Sequence, residues 1–338
     1  MNQITNQHLD IVIFDVEHGD CAFIQTPSGG TLMVDCGHKQ DFSPAKFIKE
    51  LGWVGAGGIN KIIITHHDQD HISDLKKARE ILNPSRFHTN NISGDYISRK
   101  DKPQINTPKH EYVKIKRLPS VQQLQFSDIA VHHFKNDFNI PDQGDVDINY
   151  HSVVTFVEFG EFVICFPGDI NNEGIMALLS RGNSEQFLNY IRKTNIFIAP
   201  HHGRVSEDER KQDTFLSYLL SQMKPDLVIV SDKAIEGQNE NTAATDYYAG
   251  YVESGIVFGQ NTEQEKTRKV LTTRNDNTIH IQVEVLAQSP FLSSQSQRNN
   301  YSVYLNAFNK EIENHAKNTK TKRLQNLVSN IISEKYGR

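Results

Sequence analysis

The segment Thr65-His66-His67-Asp68-Gln69-Asp70-His71 constrains this chain more than any other stretch. It separates a strand-like apolar run, Ile59–Thr65, from a helix start near Ile72, where loops present side chains at a sheet edge. Imidazoles and carboxylates packed this closely repel one another or stay hydrated unless a positive ion neutralises them. Each also offers an N or O donor to a divalent metal. A helix cap at Asp70 needs one such residue and not four. Two further segments supply donors, Phe166-Pro167-Gly168-Asp169 and Ile198-Ala199-Pro200-His201-His202-Gly203. In each case the donor comes where an apolar strand stops, which points to one shared site.

The pattern around these segments alternates strands with helices. His8–Val16, Cys21–Thr26 and Thr31–Cys36 read as strands, with Pro27-Ser28-Gly29-Gly30 as a turn. Helices fit Pro44–Leu51, capped by Ser43, and Ile72–Leu82. Tyr112–Leu118 and Ile129–Phe134 read as strands, and Val153–Phe159 with Glu161–Pro167 as a hairpin turning at Gly160. Helices at Asn172–Arg181, Glu185–Lys193 and Thr214–Met223 alternate with strands at Asn195–Pro200 and Asp226–Ser231. Val270–Thr273 and Thr278–Leu286 read as a closing hairpin around Asn275-Asp276-Asn277. Two strand-then-helix blocks of similar size predict an α/β chain: a two-layered β-sandwich with helices on both outer faces.

The Ser/Gln-rich stretch Gln288–Asn300 reads as a linker, and Tyr301–Tyr336 as largely helical, with Leu324, Leu327, Val328, Ile331 and Ile332 at helical spacing. The expected organisation is one large α/β domain over 1–287, a linker over 288–300 and a helical basic tail over 301–338. The tail holds seven Lys/Arg and three Asp/Glu, a balance of +4, which leaves −9 of the net −5 for the rest. It is a candidate nucleic-acid contact, and its apolar stripe a candidate surface for a homo-oligomer or a partner protein. No run approaches the ~20 apolar residues of a membrane helix, and no secretion signal is evident at Met1-Asn2-Gln3-Ile4. The widely spaced Cys21, Cys36 and Cys165 form neither a disulfide framework nor a CxxC zinc site. A cytoplasmic location is expected.

Taken in order, the motifs resemble the metallo-β-lactamase superfamily: Asp35 in Val34-Asp35-Cys36-Gly37, then His66-x-Asp68-x-Asp70-His71, Asp169 and His201-His202-Gly203. Within it, the chain is similar to the hydrolase domain of DNA-internalisation competence proteins over roughly residues 8–287. The likeness includes Asp15-Val16-Glu17-His18-Gly19-Asp20 and the Asn-x-x-Ser segment Asn149–Ser152. This chain departs from that pattern in having His18 where Gln is usual, Ser73-Asp74 in place of two glycines, and no histidine motif in Asp232–Thr245.

The resemblance implies an αββα sandwich, here with a C-terminal helical tail, and two divalent metal ions. His66 and Asp68 would help hold one ion, Asp70 and His71 the other, with Asp169 bridging and His202 completing the second. His201 would stand beside the site as an alternative ligand or proton donor, Asp70 and His201 being the candidate catalytic residues. Asp35 would orient the ligands from behind. An aspartate at 68, where many members carry histidine, enriches the site in oxygen and shifts preference from Zn²⁺ towards Mn²⁺. The implied activity is metal-dependent hydrolysis by a phosphodiesterase or nuclease. Small-molecule phosphoester or lactone hydrolysis on the same fold is the alternative, and a binding or signalling module with an inert site is the other.

Overall fold

The computed structural model describes residues 8–118, 125–138, 146–233, 243–258, 265–284 and 301–336. The chain opens on three antiparallel strands, β1 (His8–Ile13), β2 (Ala22–Gln25) and β3 (Thr31–Val34), and passes through α1 (Pro44–Glu50) to β4 (Lys61–Ile64). Helices α2 (Gln69–Ile72) and α3 (Leu75–Leu82) lead to β5 (Phe87–Thr89), followed by α4 (Gly94–Asp101) and α5 (Pro108–Lys116). Next come β6 (Ala130–Phe134), β7 (Val154–Phe159), β8 (Phe162–Phe166), α6 (Asn172–Leu179), α7 (Ser184–Lys193) and β9 (Ile196–Ile198). Helices α8 (Glu207–Lys211) and α9 (Phe215–Met223) precede β10 (Leu227–Val230) and α10 (Thr245–Ala249). The ribbon β11 (Ile256–Phe258) and β12 (Lys266–Arg268), then β13 (Val270–Thr272), α11 (Thr273–Asp276), β14 (Ile279–Glu284), β15 (Tyr301–Tyr304) and α12 (Asn309–Tyr336) complete it.

Two sheets result, ordered β15-β14-β1-β2-β3-β4-β5 and β13-β10-β9-β8-β7-β6. Between them Ile11, Leu32 and Ile63 meet Ile164, Ile196 and Ile229. The outer face of the first sheet buries Phe23, Ile62 and Ile64 with Phe47, Leu75 and Tyr112 from the helices above it. The second sheet buries Phe156, Phe197 and Val228 with Ile175, Phe187 and Leu220. This is the expected αββα sandwich. It explains why β4 reads Ile62-Ile63-Ile64 without alternation: successive side chains face helices, then the other sheet, and both sides are dry.

The structure corrects four sequence readings. Tyr112–Leu118 lies within and just beyond α5, because Thr107 caps that helix through its side chain, Pro108 starts it, and Tyr112 and Ile115 are buried at helical spacing. Ile72–Leu82 is two helices, broken at Ser73-Asp74, where the Asp74 amide donates to the Cys36 carbonyl (2.7 Å). The closing hairpin does not exist: β13 pairs in parallel with β10 in one sheet and β14 antiparallel with β1 in the other. The intervening α11 carries the chain across, held where Asp276 accepts from the Thr272 amide (3.0 Å) and pairs with Arg268. Finally, Tyr301–Tyr304 is a strand paired with β14, and the terminal helix starts only at Asn309. Its first turns dock on the body, with Phe308 against Trp53 (4.9 Å between centroids) and the His315 Nδ1 2.6 Å from the Glu50 carboxylate. The linker over 288–300 and the side chains of the stripe Leu324–Ile332 lie outside the described residues. Among the described residues no helix is long and apolar enough to cross a membrane.

Candidate metal centre

The candidate residues converge at one edge of the sandwich, beyond the C-terminal ends of the parallel strands, where α/β sheets commonly place ligands. His66 and Asp68 follow β4, Asp70 and His71 ride on α2, Asp169 follows β8, and His202 follows β9 in a turn whose His201 and His202 both adopt left-handed backbone (φ 51° and 54°). Gly168 has φ 59°, and a Cβ there would lie 2.6 Å from the Thr65 Cβ, so the turn that delivers Asp169 tolerates no side chain.

What makes the arrangement a site is how three imidazoles are held. Asp35, 1% exposed, accepts from the Thr65 amide (2.8 Å), the Thr65 hydroxyl (2.7 Å) and the His71 Nδ1–H (2.9 Å). Because the Thr65 hydroxyl donates to Asp35, its oxygen is left to accept from the His66 Nδ1 (3.1 Å). The His202 Nδ1 likewise points at the Ser231 carbonyl (3.2 Å), which can only accept. Each ring is thus tied back through Nδ1, and each Nε2 faces the Asp169 carboxylate, at 3.8 Å for His66, 3.3 Å for His71 and 3.6 Å for His202. Asp35 thus lies behind His71 directly and behind His66 through Thr65.

Among the described residues two groups of donors face the inward nitrogens, His66, His71 and Asp169, entirely buried, and His18, Asp70 and His202; a third, Asp20, Asp35 and His71, lies on the Nδ1 side of His71. This differs from the grouping the motif implies. The His71 Nε2 lies 3.3 Å from Asp169 and 4.0 Å from Asp70, so it stands with His66. Asp68 is at the rim, its side chain 41% exposed and 3.6 Å from the His66 Nε2. Asp70 accepts from the His202 Nε2 at 3.0 Å. His201 belongs to none of these groups; its ring stands 6.5 Å from that of His202 and lines a cleft of about 340 Å³ with Asn171, Asn172, Arg204 and Glu209. His151 is buried against Phe138 and Tyr150 and is not among the donor groups.

The sequence reading missed two site residues. His18 lies against His202 (4.1 Å between ring centroids, tilted by 46°) with its Nε2 3.6 Å from Asp70, and Asp20 lies 3.9 Å from the His71 Nδ1. Both sit in Asp15–Asp20, quoted above for its resemblance alone, and only the return of β1 to the strand ends makes them neighbours of the donors.

The protonation pattern fits a site built for cations. Burial disfavours the His71 imidazolium, yet Asp169 and Asp35 outweigh it and raise this group well above the usual histidine range. Burial likewise opposes ionisation of Asp169, but His71, His66 and His202 hold its carboxyl well below the usual range. Desolvation pushes Asp20 up to about 6 and His18 down to about 4. The proton held on His71 therefore does part of the neutralising that a metal would do. The fit to metal is direct: the His66 Nε2, the His71 Nε2 and the Asp169 Oδ1 are buried and have no hydrogen-bond partner within good geometry. Orphaned donors and acceptors this deep cost about 1–3 kcal/mol each.

Comparison with known proteins agrees with the fold. Residues 14–148 match the model of the metallo-beta-lactamase superfamily. The ComE operon protein 3 of Bacillus subtilis (strain 168) is 23% identical over 238 residues, 66% of this chain; the chain spans 28% of that relative's length. Among solved structures, Igni18, a metallo hydrolase from Ignicoccus hospitalis, covers 80% of the chain and 98% of its own at 12% identity and a TM-score of 0.41. The diiron β-hydroxylase CmlA of Streptomyces venezuelae covers 68% of the chain and 46% of its own at 16% identity and a TM-score of 0.38. The layered fold and the donor-lined strand ends agree with the family match: over residues 14–148 this chain carries a domain of the metallo-beta-lactamase type.

Proposed function

We propose that the chain hydrolyses phosphodiesters with two divalent ions, Zn²⁺ or Mn²⁺, held around Asp169. The observation that carries this reading is the fixed set of three Nε2 atoms facing one carboxylate, with Asp70 and His18 adjacent. That is more donors than one tetrahedral ion uses. His66, His71 and Asp169 would hold one ion, with Asp68 at its rim; Asp70, His202 and His18 would hold the other, with Asp169 shared.

Bound there, the ions would supply positive charge for developing phosphoryl charge and acidify an attacking water at neutral pH. The chain's own residues supply orientation. Asp35 and the Ser231 carbonyl fix the tautomers of His71 and His202, so the inward nitrogens carry lone pairs when the ions are present. Asp169, 4% exposed, presents its carboxylate to all three inward nitrogens. His201 stands at the cleft wall, where a leaving group would depart. The same cleft favours a second reading, a small phosphoester bound whole within about 340 Å³.

The test is metal analysis of chelator-free protein, followed by turnover of bis-p-nitrophenyl phosphate and of single-stranded DNA and RNA with Mn²⁺ or Zn²⁺. Two ions per chain and metal-dependent cleavage of the diesters are expected. Turnover of small monoesters alone would replace this reading with the second, and one ion at saturating metal would refute the binuclear part.

A further inference from the structure

The two sheets leave a groove at one side of the sandwich, between their edge strands β5 and β6. Side chains at alternate positions point into it. On β4, Lys61 shares the inward face with Ile63, and Ile63 is paired to His88 on β5. On β6, His133 shares a face with Val131, which packs on the inter-sheet core. The apolar core therefore ends at this edge in bases: His88 and His133 stack at 3.8 Å, and the Lys61 Nζ is 2.7 Å from the His133 Nε2. Lys116 from the end of α5 and Lys135 just past β6 reach the same place, both bonding to Thr89, through its hydroxyl (3.0 Å) and its carbonyl (3.1 Å) respectively.

Among the described residues, five bases meet here without an acid. There, every hydrogen bond that Lys61, Lys116 and Lys135 make goes to a neutral acceptor: His133, the Thr89 hydroxyl and carbonyl, and the Asn90 carbonyl. Among the described residues every charged group acting on Lys61, Lys116 and His88 is another base. The His88 Nε2 is buried with no partner, while the His133 Nδ1 is used on Thr155 (3.0 Å). Lys61 is only 4% exposed, and a buried ammonium without a counter-ion is costly. Desolvation lowers Lys61 and Lys116 to about 8, so the groove strains against its own charge.

We propose that this groove, lined by Lys61, His88, Lys116, His133 and Lys135, binds a phosphate-bearing anion. Each ammonium has three N–H donors. Lys135 uses one on the protein and Lys116 two, which leaves N–H donors for an anion with many acceptor oxygens. A dianionic or bridging phosphate offsets the crowded charge and supplies anionic acceptors that the described residues do not. His88 is paired with Ile63, three residues before His66, so the groove lies on the order of 10 Å from the metal centre. Its occupant is inorganic phosphate or a phosphate of a nucleic-acid backbone, and the site does not require hydrolysis to be real.

The experiment is lysine footprinting of the full chain with a limiting amine-acetylating reagent, read by mass spectrometry. It is run in chloride, in inorganic phosphate at matched ionic strength, and with a single-stranded phosphorothioate oligonucleotide. Lys116 and Lys135 should be protected on the order of tenfold at ten times the dissociation constant, while the exposed Lys49 and Lys224 serve as standards and stay unchanged. Protection by phosphate supports a site for the free anion, and protection by the oligonucleotide alone supports one for a strand backbone. Equal labelling in all three media overturns the proposal. Phosphate could also bind at the metal centre, so its effect on melting temperature is compared in parent and Lys116→Gln/Lys135→Gln protein. A full phosphate shift surviving in the variant also overturns it. Neither readout depends on turnover, so a failed hydrolysis assay leaves this test intact.

Discussion

Replacing Asp35 with asparagine should weaken metal binding without unfolding the chain. Asparagine keeps the volume and tolerates the left-handed backbone at this position (φ 56°), so neither packing nor strain is altered. What changes is donor count. The carboxylate accepts three hydrogen bonds, from the Thr65 amide, the Thr65 hydroxyl and the His71 Nδ1–H. An amide offers one oxygen, and its NH₂ must then face either the Thr65 amide or the His71 Nδ1–H, donor against donor. The second arrangement is relieved by moving the His71 proton to Nε2, the atom that faces Asp169 at 3.3 Å. Losing one charge-assisted bond costs about 1.5–3 kcal/mol. Moving the proton onto the ligating nitrogen lowers metal affinity about 10–100-fold. Competition with a chelating dye measures the affinity, urea denaturation the stability, and ¹⁵N NMR of the imidazoles the His71 tautomer. Unchanged affinity with His71 still protonated at Nδ1 would refute the claim that Asp35 sets this ligand.

Asp70→Ala should abolish hydrolysis and leave the melting temperature of metal-free protein within a few degrees, because Asp70 bonds to His202 and His18 and not to the core; normal turnover would remove it from the site. Gly168→Ala should destabilise the chain by about 1–3 kcal/mol and loosen metal binding, since the new methyl would press on Thr65; a neutral effect in both measurements counts against the close approach. Burial first, then Lys135, Lys61 and Lys116, lower His88 to about 3, below its unfolded value of about 6.5. Its stabilising contribution is whole above pH 6.5 and is lost as pH falls through about 3, on the order of 5 kcal/mol in all. Denaturation in phosphate-free buffer should show that acid slope, and His88→Phe should flatten it. Deleting Tyr301–Arg338 removes the strand on β14 and the Phe308–Trp53 and His315–Glu50 contacts. It should lower the melting temperature and impair small and polymeric substrates alike; a loss confined to a long oligonucleotide would make the tail a substrate contact instead.

Local order along the chain determined more of this protein than its modest identity to relatives suggests. The runs Lys61–Ile64, Phe162–Phe166 and Ile196–Ile198 are strands because each must be dry on both faces, and the donors that follow them are legible because a strand end is a local event. The layered architecture follows from the same alternation. Tertiary structure alone decided the rest. Whether Tyr112–Leu118 is helix or strand depended on Thr107 and Pro108 upstream, and two adjacent strands, β13 and β14, parted into different sheets because each found a better partner far away in sequence. The partition of His71 with His66 rather than Asp70, the arrival of His18 and Asp20, and the groove of Lys61, His88, Lys116, His133 and Lys135 involve side chains from separate elements. Periodicity reports which face a residue takes; only packing of the two sheets reports what stands opposite it.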